Sequence, residues 1–371
     1  MLVGVEEEFL LVDGHTGAPT PRIERVIPKA VALAGDQAQE ELHQAQIEHA
    51  TSPCDSLDDL RRELGDLRRT FARAAAAEGA VVVASGTYPG RMGDAGQRIT
   101  PKDRYEAMAE ANSILAREQL ICGCHIHVSV PDPERAISVM NRIRAWLPYL
   151  LALSANSPFW EGEDTGFASY RTEVWSRWPT SGPPGYFHSH EEYERLLGRL
   201  VEAKIIIDKK MAYWDVRPSE AQPTIEIRVN DVMPRIDDVV AMAGIVRGLV
   251  ASCAEASSAP EDYRWELLRA ANWRAARSGL SADLVSPLDG RRRPASVAIE
   301  ELLGHIGPAL EERGERAEIG ALTEAIVRGG NGAARQRAAY GRRQKLGDVI
   351  ESVTLGDDGH PQFLTRSGGG E

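Results

Sequence analysis

The chain has few cysteines, a deficit of basic charge and no long apolar run, and each shortage removes a class of function. Only Cys54, Cys122, Cys124 and Cys253 stand among its 371 residues, which argues against a disulfide-stapled scaffold. Cys122 and Cys124 form a C-x-C pair rather than the C-x-x-C of a redox or zinc site, so all four read as reduced core residues. Lys and Arg number 43 against 55 Asp and Glu, a net charge of -12, and a nucleic-acid partner would need a basic footprint. The basic runs 291–293 and 335–345 read as solvated faces, though the second could also meet a phosphate. No apolar stretch approaches the roughly 20 residues that span a bilayer. The amino terminus enters a strand pattern directly, without a charged and then apolar leader, so a cytoplasmic protein with no membrane partner is expected. Neither G-x-x-x-x-G-K-[ST] nor G-x-G-x-x-G occurs, so a bound nucleotide would use neither a P-loop nor a Rossmann turn.

What is present is a 43% hydrophobic chain, long enough to bury a large core, with strands that carry charge on one face. Side chains alternate along a strand. In VGVEEEFLLVD, from Val3, Glu6 and Glu8 therefore share a face with Gly4 and Leu10, while Glu7 joins Val5, Phe9 and Leu11. Two residues of rise separate the Glu6 and Glu8 backbones by roughly 7 Å, so each carboxylate could hold one of two divalent ions about 4 Å apart. A solvated edge strand with a glutamate fringe fits this segment equally well. Residues 42–49 set Gln44, Gln46 and Glu48 against His43, Ala45, Ile47 and His49. In CGCHIHVSV, His125, His127 and Ser129 oppose an apolar face, and in TIEIRVN, Glu226 and Arg228 oppose Ile225, Ile227 and Val229. One such strand is an ordinary half-exposed sheet, and one lone histidine an ordinary core residue. Four such strands point to a shared sheet surface that is a site.

The remaining pattern is mostly helical. Residues 22–34 read as a short helix interrupted by Pro28. Ser56 opens a long helix with Leu57, Leu60, Leu64, Leu67 and Phe71 at helical spacing. Residues 103–118 form another, and Asp132 caps a third. Residues 155–184 lack periodicity but are rich in Trp, Tyr, Phe, Gly and Pro, which predicts an ordered loop covering a binding site rather than disorder. A helix follows at 189–203, and beyond Pro234 the pattern is helical almost to the end. With no repeat and no linker, residues 1–366 read as one domain and 367–371 as a disordered tail.

These residues resemble the bacterial carboxylate-amine ligases of the second glutamate–cysteine ligase group, distant relatives of glutamine synthetase. The resemblance is carried by GVEEEFLLVD from Gly4, QIEHATSPC from Gln46, CGCHIHVSV from Cys122, the aromatic loop ANSPFWEGEDTGFASYRTEVWSRWPTSGPP from Ala155, IEIRVNDV from Ile225, NWRAARSGL from Asn272 and GNGAARQRAAY from Gly330. It implies an α+β fold, of the glutamine synthetase and guanido kinase type, whose curved antiparallel sheet forms a funnel flanked by helices. It also implies ATP and Mg2+ or Mn2+ on the concave face. Carried over position by position, the metal ligands fall on Glu6, Glu8, Glu48, His125 and Glu226, with Glu6, Glu8 and Arg228 toward the nucleotide. The arginines of the reacting groups are Arg171, Arg228 and, in less closely matching surroundings, Arg104, while Glu7 is structural. The implied reaction joins a carboxylate to an amine through an acyl phosphate, with L-glutamate and L-cysteine the default pair. Oligomeric state, including a homo-oligomer, is left open. The competing reading is a metallohydrolase holding zinc with His125, His127, His43 or His49, and Glu48; it leaves Glu6, Glu8, Glu226 and Arg228 without roles.

Overall fold

The computed structural model describes residues 1–361, so the tail expected at 367–371 lies outside the described residues. A seven-stranded antiparallel sheet is built from β1 (Val3–Asp13), β2 (Ala38–Glu40), β3 (Gln46–Ala50), β4 (Ala80–Val83), β5 (Gly123–Ser129), β6 (Val216–Pro218) and β7 (Thr224–Asp231). The strand order is β2-β3-β1-β5-β7-β6, with β4 also on β1. β1 forks: Val3–Glu7 pair with β5 and Leu10–Asp13 with β4. Glu8 stands in the fork, where its carboxylate accepts the Gly123 N–H at 2.6 Å.

One face of the sheet is covered by helices. α1 (Ile23–Ala34) and α2 (Leu57–Ala76) pack together, and α2 begins where Ser56 accepts the Asp59 N–H and buries Leu57, Leu60, Leu64, Leu67 and Phe71, as its spacing predicts. After α3 (Asp103–Asn112) come α4 (Pro133–Ile143), capped by Asp132, α5 (Leu147–Ser154), the short α6 (Tyr170–Trp175), α7 (Ile236–Glu255) and α8 (Trp265–Ser278). Val5, Ile126 and Ile227 meet Val239 and Val246 of α7 in one core, and Phe9, Leu11 and Val82 meet Phe71 in a second. All four cysteines are buried and free, as expected.

The apolar face carries one charge, and it is matched. Glu7 accepts from Arg68 Nε of α2 at 2.9 Å and faces His49 Nε2 at 3.2 Å, while Arg68 also donates to the carbonyls of Met233 and Pro234. A buried carboxylate held by a guanidinium whose other N–H groups are also used is a structural pair, as expected for Glu7.

Four expectations need correction. α1 runs through Pro28, because Pro28 lies on the exposed side while Ile23, Val26 and Ala30 anchor the other. Residues 103–118 break at Ser113, whose φ is +52°; only Met108 and Ala116 of the two pieces are buried, so no apolar stripe holds them straight. The strand expected at 42–49 starts at Gln46. The stretch 155–184 is ordered, but it contains a small hairpin, Phe159–Trp160 with Glu163–Asp164, and the helix α6.

Candidate active site

The uncovered face of the sheet carries a charged stripe set by strand register. Glu8 lies opposite Glu48, Glu6 opposite His125, His127 opposite Glu226, and Glu226 opposite Arg217. Two groups of ligand atoms result, each within 4.8 Å of one another: Glu6, His127 and Glu226, and Glu8, Glu41 and Glu48. His125 stands between them, with Nδ1 3.3 Å from Glu6 and Nε2 3.7 Å from Glu8. Of the five expected ligands, four thus fall into these groups; the fifth, His125, also lies 3.9 Å from Glu226, and His127, not among the five, completes the first group.

The two groups differ electrostatically. Burial pushes Glu6 up, but hydrogen bonds from His125 and His127 more than offset it and hold the carboxyl well below the usual range. Glu226, which is more deeply buried, is held down against that burial by Arg217, with Nε 2.7 Å away, and by Arg228. Burial, helped by Arg228, brings His125 down to about 4, so it is neutral. In the second group burial and Glu41 push Glu8 up to about 7 against Arg171, the Gly123 N–H and Arg228. Glu48 stands well above its ordinary range through burial and repulsion from Glu6, Glu41 and Glu8. Three carboxylates crowded in this way call for a cation.

Two arginines border the acids. The β5–β7 ladder shifts register between Cys124 and Ile126, a bulge at His125 of the kind that re-aims side chains beside sites. Arg228 emerges there, over the rings of Trp175 and Tyr213 at 5.9 and 6.0 Å. Arg171 arrives from the aromatic loop, which Asp231 at the end of β7 holds by accepting from Asn156 N, Ser157 Oγ and Ser169 Oγ at 2.6–2.8 Å. It is 3% exposed, and a Cβ on Gly123 would lie 2.3 Å from its guanidinium. Among the described residues, Arg171 Nε and Arg228 Nε are buried donors without a hydrogen-bond partner, as an anion-binding pair would present. Beside them Asp215 accepts from Asn272 at 2.7 Å, and burial pushes it up to about 7 against Arg171 and Arg228.

The stripe floors two adjoining chambers. The wider, of ≈ 740 Å³, runs from Val3 and Pro53 to Pro223 and Thr224; the inner, of ≈ 170 Å³, is walled by Tyr105, Met108, Trp175, Trp178 and Tyr213. Glu8, Glu41, His125, Lys210 and Arg228 line both. Arg104 is at the inner wall, but Asp208 holds its guanidinium through two hydrogen bonds of 2.8 and 3.1 Å. The strand pattern could not reveal Glu41, which sits in the turn before β3, or Arg217 and Lys210, whose roles depend on β6 pairing with β7. The zinc set of the hydrolase reading is not assembled: His49 is on the helix-covered face with Glu7, and His43 is buried apart from both acid groups. The basic run at 335–345 is largely engaged, Arg335 with Asp238, Arg337 with Asp164 and Arg343 with Asp348.

A sequence model of glutamate–cysteine ligase family 2 matches residues 2–354. The chain belongs to that family. A Nocardia farcinica protein is 44% identical over 374 residues, covering 100% of this chain and 97% of its own, and one from Frankia alni is 42% identical over 368 residues, covering 95% of each. Both are provisionally named glutamate–cysteine ligase 2. The solved glutamate–cysteine ligase of Francisella tularensis in complex with AMP superposes with a TM-score of 0.71 at 13% identity, over 95% of this chain and 88% of that one. The family member described here thus has the glutamine synthetase-like fold, and its class is ATP-dependent carbon–nitrogen ligase. No helix among its described residues is long and apolar enough to cross a membrane.

Proposed function

We propose that this enzyme joins the side-chain carboxylate of L-glutamate to the amine of L-cysteine at the expense of ATP. The observation that carries the reading is the pair of ligand groups at the junction of the two chambers, beside two buried arginines with unpartnered N–H groups. Glu6, His127 and Glu226 would hold one divalent ion and Glu8, Glu41 and Glu48 another; mostly oxygen donors suit Mg2+ or Mn2+. Such ions supply charge neutralisation to phosphate oxygens.

The wide chamber has room for a nucleoside triphosphate and the inner one for amino acids. A carboxylate and an amine do not condense at neutral pH unactivated, so the substrate carboxylate attacks the γ-phosphorus and the bond to ADP breaks, leaving an acyl phosphate. The amine then attacks the acyl carbon, loses a proton, and phosphate leaves. Arg171 and Arg228 face the transferring group, where preformed donors stabilise charge that develops in the transition state. Trp175 and Tyr213 lie against the guanidinium of Arg228, and the aromatic wall of the inner chamber would limit the water that reaches the acyl phosphate.

The test is ADP release with glutamate and cysteine, each alone and together, with γ-glutamylcysteine measured as product. Release and product only when both are present support the reading. Coupled release with a different acid or amine pair, and none with this one, would keep the ligase and reject these substrates.

A further inference from the structure

Behind the wall that carries Arg171 lies a further cavity, of ≈ 500 Å³, which shares no lining residue with either chamber of the site. α6 and the turn after it separate the two, and helical spacing divides their side chains. Arg171, Trp175 and Trp178 line the inner chamber, whereas Tyr170, Glu173, Val174 and Arg177, at i, i+3, i+4 and i+7, line the further cavity. Its other walls are the loop after β4, from Arg91 to Gln97, and the Phe159–Trp160 hairpin. Those walls are tied together. Glu161, at the hairpin tip, accepts the Met92 N–H at 3.1 Å, and the Gly162 N–H donates to the Pro89 carbonyl at 3.2 Å. A cavity braced in this way is formed before any ligand arrives, as binding sites for small molecules usually are.

The lining divides into an apolar part and two unmatched charges. Met92, Val174 and the rings of Trp160 and Tyr170, 5.8 Å apart, supply the first. Of the charged side chains, Arg177 is taken by Glu118 at 2.6 Å and Glu161 by the Met92 N–H. Two are left without an ion-pair or hydrogen-bond partner among the described residues: the carboxylate of Glu173 on α6 and the guanidinium of Arg91 on the loop. Glu173 is half-buried, and burial raises its carboxyl above the ordinary range against the pull of Arg269 in α8, so a cation seated beside it relieves a partly desolvated charge. One ligand chemistry meets all three features: an ammonium for Glu173, a carboxylate for Arg91 and a ring against Trp160 and Tyr170. We propose that this cavity binds a free α-amino acid with an aromatic side chain, on the reverse of the wall that presents Arg171 to the reacting groups. The proposal stands apart from the choice of glutamate and cysteine as substrates.

The test is calorimetry of the full chain over roughly 0.01–5 mM ligand, with L-phenylalanine, phenylpropionate, which lacks the ammonium, and phenylethylamine, which lacks the carboxylate. The parent is expected to prefer L-phenylalanine about tenfold over phenylpropionate and about threefold over phenylethylamine, because Glu173 is half-buried and Arg91 exposed. Glu173→Gln should bind L-phenylalanine and phenylpropionate alike, yet keep the preference over phenylethylamine. Arg91→Gln should lose only that second preference. Neither side chain lines a chamber of the site, so both variants should melt like the parent and keep its basal activity. No binding by the parent would overturn the proposal, and L-alanine bound as tightly as L-phenylalanine would do the same by removing the role of the rings. Preferences that survive both substitutions would place the amino acid in the inner chamber instead, and the proposal would be wrong.

Discussion

Replacing Glu7 and Glu8 by glutamine should have opposite consequences, although the residues are adjacent in one strand. Glu7→Gln leaves Arg68 buried with its charge unmatched, which costs about 3–5 kcal/mol; melting should drop by several degrees while the folded protein turns over normally. Glu8→Gln removes one of three crowded acids, so the metal-free protein should melt at the same temperature or higher, with turnover lost. Thermal melts beside ADP-release rates check the pair, and equal kinetic damage from both changes would mean that the face assignment of β1 is wrong. Arg171→Lys keeps the charge near Asp231, 4.0 Å away, but loses the planar fork. It should cut kcat by about 100-fold with a small change in melting; early melting with normal kcat would make Arg171 a packing residue. Asp215 gives a pH signature. Its folded value of about 7 lies above the ordinary 3.8, so its contribution to stability is fully present below that ordinary value and is lost as pH rises through about 7. Asp215→Asn should therefore gain stability relative to the parent as pH rises from 3.8 to about 7, the interval between the two values. A constant difference across that range would leave Asp215 outside the pH dependence.

At the scale of elements, the first strand could be read almost completely from its pattern. Alternation alone put Glu6 and Glu8 on the charged face and Glu7 on the apolar one, because period two is fixed by backbone geometry. The limits of α1 and of the β3 region were less legible, since packing against neighbours overrides a proline on a solvent face and a turn supplies Glu41 outside any alternation. The aromatic loop was expected to be ordered, yet the feature that positions Arg171 is a contact no local pattern contains: Asp231 gathers Asn156, Ser157 and Ser169, and Gly123 leaves room for the guanidinium. Gly123→Ala should therefore act like an Arg171 variant, with kcat falling and the far wall of the wide chamber unaffected, so that nucleotide affinity measured by calorimetry stays within about twofold. An alanine variant with parental kcat would show that Arg171 need not stay against β5.

For the whole molecule, the proposed metal sites would couple ion binding to stability. Chelation should abolish turnover, Mg2+ or Mn2+ should restore it, and either ion should raise the melting temperature in proportion to the logarithm of its concentration. Glu8→Gln and Glu48→Gln should lose most of that thermal gain. Recovery with Zn2+ in its place, or no thermal response to any divalent ion, would count against the hard-ion assignment. What the sequence by itself determined was local or periodic: the faces of the charged strands, the buried stripes of the helices, the reduced cysteines, and a motif set extensive enough to indicate the family. Only the tertiary structure decided which acids share a site, that His127 as well as His125 stands against Glu6, that Arg104 is held by Asp208, and that Arg217 and Lys210 reach the chambers. Alternation fixes the face on which a side chain lies, but strand order, a bulge and the packing of distant turns fix its neighbours, and those are set by contacts between residues up to hundreds of positions apart.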